Sequence, residues 1–317
     1  MRRFIRQLLL FLPFCAAAYL VLLVVWGEAS PRCLQRNLNY RRGTGHLLTR
    51  LREARETGPV DVLVLGSSHA YRGFDPRIFA DRGLRMFNLG SRAQTPLHTR
   101  ILLDRYLDGL RPQMVIWEVF PLTFTIDGVE ATLDLLANDV HDRHVRELVG
   151  RHRHLAVFHN YLFMLYRRAT GLDRLTREHR VAGPDTYVAG GFVEHTGEAG
   201  ERRLAPGGGP ADWKLRDDQL EAFRQALDLL RERGIPVVLV QAPIPSALRG
   251  AYRNNDEFDG WMSELGRYWN FNNLVELDDN LHFFDDHHLN QDGVRAFNEA
   301  LLDRFQAEGL LPEGNHP

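Results

Sequence analysis

Short apolar runs recur along the chain after residue 59, and their length is that of strands rather than helices. The first of them, Val62–Leu65, has no polar position, which is typical of the buried middle of a parallel sheet. We therefore predict five strands, at Val60–Leu65, Leu84–Leu89, Met114–Val119, Pro236–Gln241 and Asn273–Leu277.

Apolar positions with helical spacing lie between these runs, and a short amphipathic helix is predicted from His46. Strands that alternate with helices form right-handed βαβ units around a parallel sheet covered on both faces. The predicted fold class is therefore α/β, a three-layer α/β/α sandwich with a parallel five-stranded sheet. The helical stripes are Leu97, Ile101, Leu103, Leu107 and Leu110, then Leu220, Phe223, Leu227 and Leu230, and finally Val294, Phe297, Leu301 and Phe305.

Residues 121–212 interrupt this alternation and are too long for an ordinary connection, so we interpret them as an insert. The insert is predicted to be helical from His141 to Arg168, and "DTYVAGGFVEH" near its end predicts a small hairpin. Inserts over the carboxyl edge of such a sheet often form lids or substrate walls, which is a hypothesis for this one.

The amino terminus carries a long apolar run, with no charged residue between Arg6 and Glu28. Its length suits a bilayer-spanning helix, and the arginines that precede it favour a cytoplasmic start and an exported body. Further arginines after the run weaken that orientation signal. We predict an uncleaved signal anchor at 1–27, a spacer and short helix at 28–58, and an α/β domain at 59–317. This places a single-pass protein in the cytoplasmic membrane, with its C-terminal domain periplasmic or extracellular.

Composition narrows the function classes. The 317 residues are 44% hydrophobic and 25% charged with a net charge of −2, which fits a globular body and argues against a nucleic-acid platform. The two cysteines, Cys15 in the apolar run and Cys33 just after it, do not form a disulfide framework.

The first predicted strand ends on Gly66, Ser67 and Ser68, which turn the chain and present hydroxyl groups at the carboxyl edge of the sheet. Open α/β sheets bind their ligands at this edge. A serine at such a turn has two interpretations: it caps the following helix, or it is a nucleophile.

A second polar stretch, "DDHHLNQDG", precedes the last helix. It contains Asp285 and His288, and a serine becomes a nucleophile when an imidazole that a carboxylate orients takes its proton. The loops after the first and last strands both open at the carboxyl edge, so Ser68 and His288 are expected to meet there. Asn290 is the predicted N-cap of the last helix.

Together these stretches resemble the SGNH (GDSL-like) hydrolases. The resemblance rests on "VLGSSHAYRGFDP", "MFNLGSRAQTP" and "DDHHLNQDG", and it covers Val60–Val119 and Ile235–Phe305 but not the insert. It implies a flavodoxin-like sheet. The members that the chain looks most like are membrane-anchored, acyltransferase-type proteins that modify cell-surface polymers.

The resemblance implies a role for each matching residue. Ser68 would be the nucleophile, His288 the general base and Asp285 the acid that orients it. The amides of Ser68 and Gly90 would form the oxyanion hole. Glu118 and Asn88 are the further candidates for substrate contact, and neither a cofactor nor a metal is implied.

One block departs from the family pattern. The third block, Gly-x-Asn-Asp, should follow the third strand, but that place reads "WEVFPLTF" and supplies no asparagine for the oxyanion hole. The gap favours the acyltransferase branch over a simple esterase. It also leaves open a relative that has lost its activity.

Three other interpretations compete. The α/β-hydrolase fold is rejected, because there the nucleophile follows several strands and the acid lies far from its histidine. A metal site remains open at His282, Asp285, Asp286, His287 and His288. The third is a binding protein that kept the fold without the chemistry.

The function predicted from the sequence is an SGNH-like acyltransferase or esterase. It would transfer or remove an acyl group, most simply acetyl, on a cell-surface polysaccharide through the Ser68–His288–Asp285 triad. A multi-span membrane O-acyltransferase is the expected partner that supplies the acyl group. The alternatives are a polysaccharide O-acetylesterase and an inactive component of polymer assembly.

Overall fold

The computed structural model describes residues 1–31, 44–138, 142–197 and 210–312. The chain divides into two compact units, one of Met1–Gly43 with Thr132–Arg177 and one of Thr44–Ala131 with Glu178–Pro317. The helical part of the predicted insert thus belongs to the same unit as the amino terminus. Cys33 and most of the predicted spacer lie outside the described residues.

The helices and strands follow in chain order. They are α1 (Arg2–Ala29), α2 (Leu47–Glu56), β1 (Val62–Leu65), α3 (Ser68–Gly73), α4 (Pro76–Ala80), β2 (Met86–Asn88), α5 (Pro96–Leu110), β3 (Met114–Glu118), α6 (Val129–Asn138), α7 (Arg143–His152), α8 (Leu155–Ala169), β4 (Val181–Ala182), β5 (Asp185–Val188), β6 (Phe192–His195), α9 (Asp217–Glu232), β7 (Val237–Gln241), α10 (Ser246–Gly250), α11 (Asn255–Leu265), β8 (Arg267–Asn270) and α12 (Gln291–Ala307).

The larger unit contains a parallel sheet in the order β2-β1-β3-β7-β8. Counted along the chain, these five strands have the flavodoxin-like order 2-1-3-4-5, which confirms the predicted fold class. In such sheets ligands bind where the strand order reverses, outside the carboxyl ends of the strands. That point lies between β1 and β3 here.

Helices cover both faces of the sheet. On one face Val64 and Ile116 pack in a core with Phe297 of α12. On the other face Trp117 contacts Phe223 of α9, with ring centroids 4.5 Å apart. Every residue of β1 is buried, as its apolar sequence predicts.

The fifth strand is not where the sequence predicts it. Asn273–Leu277 is irregular, and the strand that pairs with β7 is Arg267–Asn270. Since β8 is an edge strand, Arg267 is exposed while Trp269 is buried, so it lacks a continuous apolar run. Val275 and Leu277 pack on the core from a loop, which explains why their apolar pattern resembled a strand.

The predicted hairpin of the insert is present in the larger unit. β5 and β6 pair in an antiparallel register from Asp185↔His195 to Val188↔Phe192, and β4 adds a third strand. Phe192 reaches the main core, which fixes the hairpin to the α/β body.

The smaller unit contains α1 and the helices α7 and α8, which occupy most of the region predicted as helical. By length and composition α1 can cross a membrane, since its most apolar window has a mean hydropathy of 2.8. The C-terminal end of α1 packs on α8. A Cβ at Gly27 would lie 2.1 Å from the Phe163 ring, and Glu28 pairs with Arg167 at 2.6 Å.

Candidate active site

The turn after β1 is shaped by Gly66, whose φ of +140° favours glycine. A Cβ there would lie 2.8 Å from both Cβ and Oε2 of Glu118, so no side chain fits between this turn and the end of β3. Ser67 is the N-cap of α3, and its Oγ accepts the His69 backbone N–H at 3.3 Å. The capping role therefore belongs to Ser67.

Ser68, the predicted nucleophile, is the first residue of α3 and is partly exposed. Within the described part of the chain its hydroxyl makes no hydrogen bond, so capping does not occupy it. The hydroxyl is thus available at the carboxyl end of β1, beside the point where the strand order reverses.

The loop before α12 holds the predicted acid and base. His288 Nδ1 and Asp285 Oδ2 are 2.8 Å apart, and Asp285 Oδ1 accepts the backbone N–H groups of His287 and His288 at 2.9 and 2.7 Å. Asn290 caps α12, as predicted, by accepting the Gly293 N–H at 3.0 Å. These bonds fix the carboxylate and one face of the imidazole.

The electrostatics of this pair suit a general base. Burial alone would raise the pKa of Asp285, but the hydrogen bond and charge of His288 hold it below its usual range. Burial lowers the pKa of His288 to about 4, although Asp285 opposes that shift. The imidazole is therefore neutral at neutral pH. Its Nε2 is buried and has no hydrogen-bond partner among the described residues.

The turn after β1 and the loop before α12 meet through His69. Its Nε2–H donates to the carbonyl oxygen of His287 at 2.8 Å, and its ring centroid lies 5.1 Å from that of His288. The residue next to Ser68 thus contacts the residue next to the base, while no hydrogen bond joins Ser68 to His288 in the described part of the chain. His69 is not among the residues predicted from the sequence, although it directly follows Ser68 in "GSSHA".

The second sequence block lies against the same turn. A Cβ at Gly90 would be 2.9 Å from the carbonyl oxygen of Ser67, so Gly90 packs closely on it. In this structure the Gly90 amide donates to Asn88 Oδ1 at 3.0 Å. An oxyanion would have to exchange with that bond before Gly90 could stabilise it.

Asn88 is predicted as a substrate contact, but its placement does not support that role. It is fully buried, and its Nδ2 donates to the carbonyl oxygen of Ala70 at 2.7 Å. With both polar atoms engaged inside the protein, Asn88 connects β2 to α3 and the Gly90 amide.

Glu118 stands where the family pattern expects the third block, and its side chain points at the turn after β1. Its Oε2 accepts the Ser67 N–H at 3.2 Å and lies 3.0 Å from Ser67 Oγ. Glu118 is 2% exposed. Burial raises the pKa of Glu118 to about 8, against the hydrogen bonds from Ser67.

The hairpin of the insert supports the base from one side. His195 stacks on Phe284 with centroids 3.9 Å apart, and Phe284 lies nearly parallel to the His288 ring at 5.5 Å. Asp185 accepts from His195 Nδ1 at 2.7 Å and from Arg72 of α3 at 3.0 and 2.7 Å. The sequence predicts the hairpin but not these contacts, because they join segments far apart in the chain.

Three histidines could hold a metal ion, since ligand atoms of His69, His287 and His288 lie within 4.8 Å of one another. Among the described residues, Asp285, Asp286 and His287 form another cluster of this kind. However, both ring nitrogens of His69 are in hydrogen bonds, and Asp285 holds His288 through Nδ1. A metal would have to displace a bond of His69, and we assign none of these residues as a ligand.

No protein-family model matches the sequence, and no curated protein matches it. Among solved structures, the chain is similar to a protein described as an acylhydrolase from Bacteroides fragilis, at 10% identity and a TM-score of 0.42, over 84% of this chain and 99% of that one. It is also similar to a GDSL-like lipase from Bacteroides thetaiotaomicron, at 11% identity and a TM-score of 0.41, over 83% and 99% of the two chains. Both scores are low, so the fold assignment rests on the strand order alone.

Proposed function

We propose that this protein is an SGNH-type serine enzyme that transfers or hydrolyses acyl groups, with Ser68 as nucleophile, His288 as general base and Asp285 as its orienting acid. One observation supports this most strongly. Asp285 holds His288 through Nδ1, while Nε2 is buried and unpartnered on a loop that contacts the residue after Ser68.

The proposed reaction has two halves. The Ser68 O–H bond breaks as His288 Nε2 takes the proton, and Oγ bonds to the acyl carbon. The resulting oxyanion accepts from the amides of Ser68 and Gly90, the latter released from Asn88. The alcohol leaves with the proton from Nε2. Water or a sugar hydroxyl then gives its proton to Nε2, attacks the acyl-enzyme and restores Ser68.

The substrate class follows from the family resemblance and from α1. A helix that can cross a membrane would keep the catalytic unit close to the cell envelope, where glycans carry acetyl and other acyl groups. We propose a surface polysaccharide as acceptor and a multi-span membrane O-acyltransferase as acyl donor. The unit would then lie on the outer side of the cytoplasmic membrane.

A second candidate is an inactive, polymer-binding component. The missing asparagine of the third block and the engaged Gly90 amide favour it, because both weaken the oxyanion hole. A test for serine activation separates it from either enzyme. Formation of an acylated glycan that depends on the acceptor separates a transferase from an esterase.

The test is covalent labelling of the full chain in detergent with a fluorophosphonate, read by intact mass. We expect one adduct on the parent protein and none on Ser68→Ala or His288→Ala. The control is Ser263→Ala, which removes an exposed serine of α11 and should be labelled like the parent. An unlabelled parent that is folded by circular dichroism would favour the binding component.

A further inference from the structure

A buried polar chain behind the proposed nucleophile takes no part in the reaction described above. It runs from Glu118 Oε2 to Ser67 Oγ at 3.0 Å, from Ser67 Oγ to His69 Nδ1 at 3.3 Å, and from His69 Nε2 to the His287 carbonyl at 2.8 Å. All three side chains are buried, at 2%, 2% and 5% exposure. The chain therefore links the end of β3 to the loop that carries His288.

The hydrogen bonds along the chain can all form together only if the chain holds one extra proton. The His287 carbonyl can only accept, so His69 Nε2 carries a hydrogen. In a neutral His69, Nδ1 is then an acceptor and must receive the Ser67 hydroxyl hydrogen. The bond between Ser67 and Glu118 in turn requires a hydrogen on Glu118.

The other arrangement gives the same count. If Glu118 were ionised, it would take the Ser67 hydroxyl hydrogen, and His69 Nδ1 would need a second proton to donate to Ser67. Both arrangements carry one proton more than an ionised glutamate and a neutral histidine. Without that proton, either the contact of Ser67 Oγ with Glu118 or its contact with His69 Nδ1 lacks a hydrogen.

We propose that Glu118, Ser67 and His69 share one buried proton, and that this relay positions the His287–His288 loop against the Ser68 turn. The positioning role rests on the proposed function, whereas the shared proton does not. Glu118 and His69 are positioning residues, because neither reaches the reacting atoms except through Ser67 or His287.

The surroundings place the proton on Glu118 at neutral pH. Among the described residues, only Ser67 hydrogen-bonds Glu118, and burial raises its pKa to about 8. Burial and the neighbouring His287 and His288 lower the pKa of His69 well below its usual value, opposed by the His287 carbonyl and Asp285. Above about pH 8 Glu118 ionises, turns the Ser67 hydroxyl toward itself and leaves His69 Nδ1 without a donor.

Two measurements test the relay. Difference infrared spectra of the full chain between pH 6 and pH 10 should contain the carbonyl stretch of a protonated carboxyl group that Glu118→Gln lacks and the surface control Glu299→Gln keeps. The rate of Ser68 labelling should fall about tenfold per pH unit above about 8. In Glu118→Gln that alkaline decline should disappear.

The outcomes separate the relay from the proposed function. A carboxyl band without any labelling keeps the shared proton and removes both the serine chemistry and the positioning role. Two results would overturn the relay without affecting the proposed enzyme function. One is labelling of Ser68 in a protein that lacks the carboxyl band, and the other is an alkaline decline of the labelling rate that Glu118→Gln retains. The infrared arm can also be run on Ser68→Ala, where the band should persist because Ser68 is not part of the chain.

Discussion

Two regions of the site each contain a carboxylate and a histidine, but the two carboxyl groups differ in their protonation state. In the loop before α12, Asp285 touches His288 directly and also accepts two backbone N–H groups, so it stays ionised. Behind the turn after β1, Glu118 reaches His69 only through Ser67 and is desolvated, so it holds a proton. Burial and the hydrogen-bond donors and charges around each carboxylate, rather than the residue type, decide its charge.

Because of this difference, we expect the two carboxyl groups to have different roles. In the proposed mechanism, an ionised Asp285 fixes the tautomer of His288 and leaves Nε2 free to take a proton from Ser68. A protonated Glu118 donates toward the turn and contributes no charge. We therefore expect substitutions in the loop before α12 to affect the chemistry, and substitutions behind the turn to affect geometry, stability and pH dependence.

The largest expected effect comes from comparing the adjacent serines. Ser68→Ala should lower the labelling rate or esterase activity by ~10⁴-fold or more, because it removes the proposed nucleophile. Ser67→Ala should cost only about 10- to 100-fold, because it removes the cap and the relay but not the nucleophile. Both are measured as second-order labelling rates. The reverse order would assign the nucleophile to Ser67.

Asp285→Asn should lower the same rate by ~10³- to 10⁴-fold, because an amide facing Nδ1 favours the wrong tautomer of His288. Asp286→Asn is the matched control, since Asp286 is exposed and neighbours the same loop, and it should stay within about 2-fold of the parent. Equal losses in the two variants would mean that the labelling rate depends on the structure of the loop and not on the Asp285 carboxylate that contacts His288.

Glu118→Gln should change how stability depends on pH. The pKa of Glu118 is raised from 4.5 to about 8 in the folded protein, so its contribution to stability is fully present below pH 4.5 and is lost as pH rises through 8. The parent should therefore lose ~4 kcal/mol relative to Glu118→Gln between pH 5 and pH 9. Denaturant melts at each pH measure this, and parallel curves would mean that Glu118 is ionised throughout.

The labelling rate at low pH depends on the protonation state of His288. A general base acts when it is deprotonated, and burial lowers the pKa of His288 to about 4 from 6.5. Labelling at pH 5.5 should therefore stay within about 2-fold of the rate at pH 7. A tenfold loss there would mean that His288 titrates like an exposed histidine.

Removal of divalent metal should have the smallest effect. Because both ring nitrogens of His69 are in hydrogen bonds that a metal would have to displace, dialysis against a chelator should leave the labelling rate unchanged within error. A loss restored by added Zn²⁺ would favour the metal site at His69, His287 and His288.

The sequence predicts much of this architecture because the informative signals are local. Buried parallel strands such as Val62–Leu65 have continuous apolar runs, and Asn290 precedes its helix as an N-cap should. The edge strand Arg267–Asn270 is not predicted because it begins with an exposed arginine, ends with an asparagine and has no continuous apolar run. Local pattern therefore identifies the centre of the sheet better than its edge.

Neither the relay nor the stacking of His195, Phe284 and His288 could be predicted from local sequence patterns. Glu118 contacts Ser67 across two adjacent strands, and Phe284 stacks on a histidine from the insert, so each contact depends on the tertiary fold. Asn88 and Glu118 could be placed at strand ends from the sequence, but burial gives them internal partners. A position near the sheet edge therefore does not by itself show whether a residue contacts substrate or hydrogen-bonds other residues inside the protein.

The most direct test of the central claim is to map the fluorophosphonate adduct of the parent chain by tandem mass spectrometry of its proteolytic peptides. The adjacent serines lie in one peptide, and fragment ions between them locate the modification. We expect an adduct on Ser68 alone. An adduct on Ser67, or on a serine outside the turn, would contradict it.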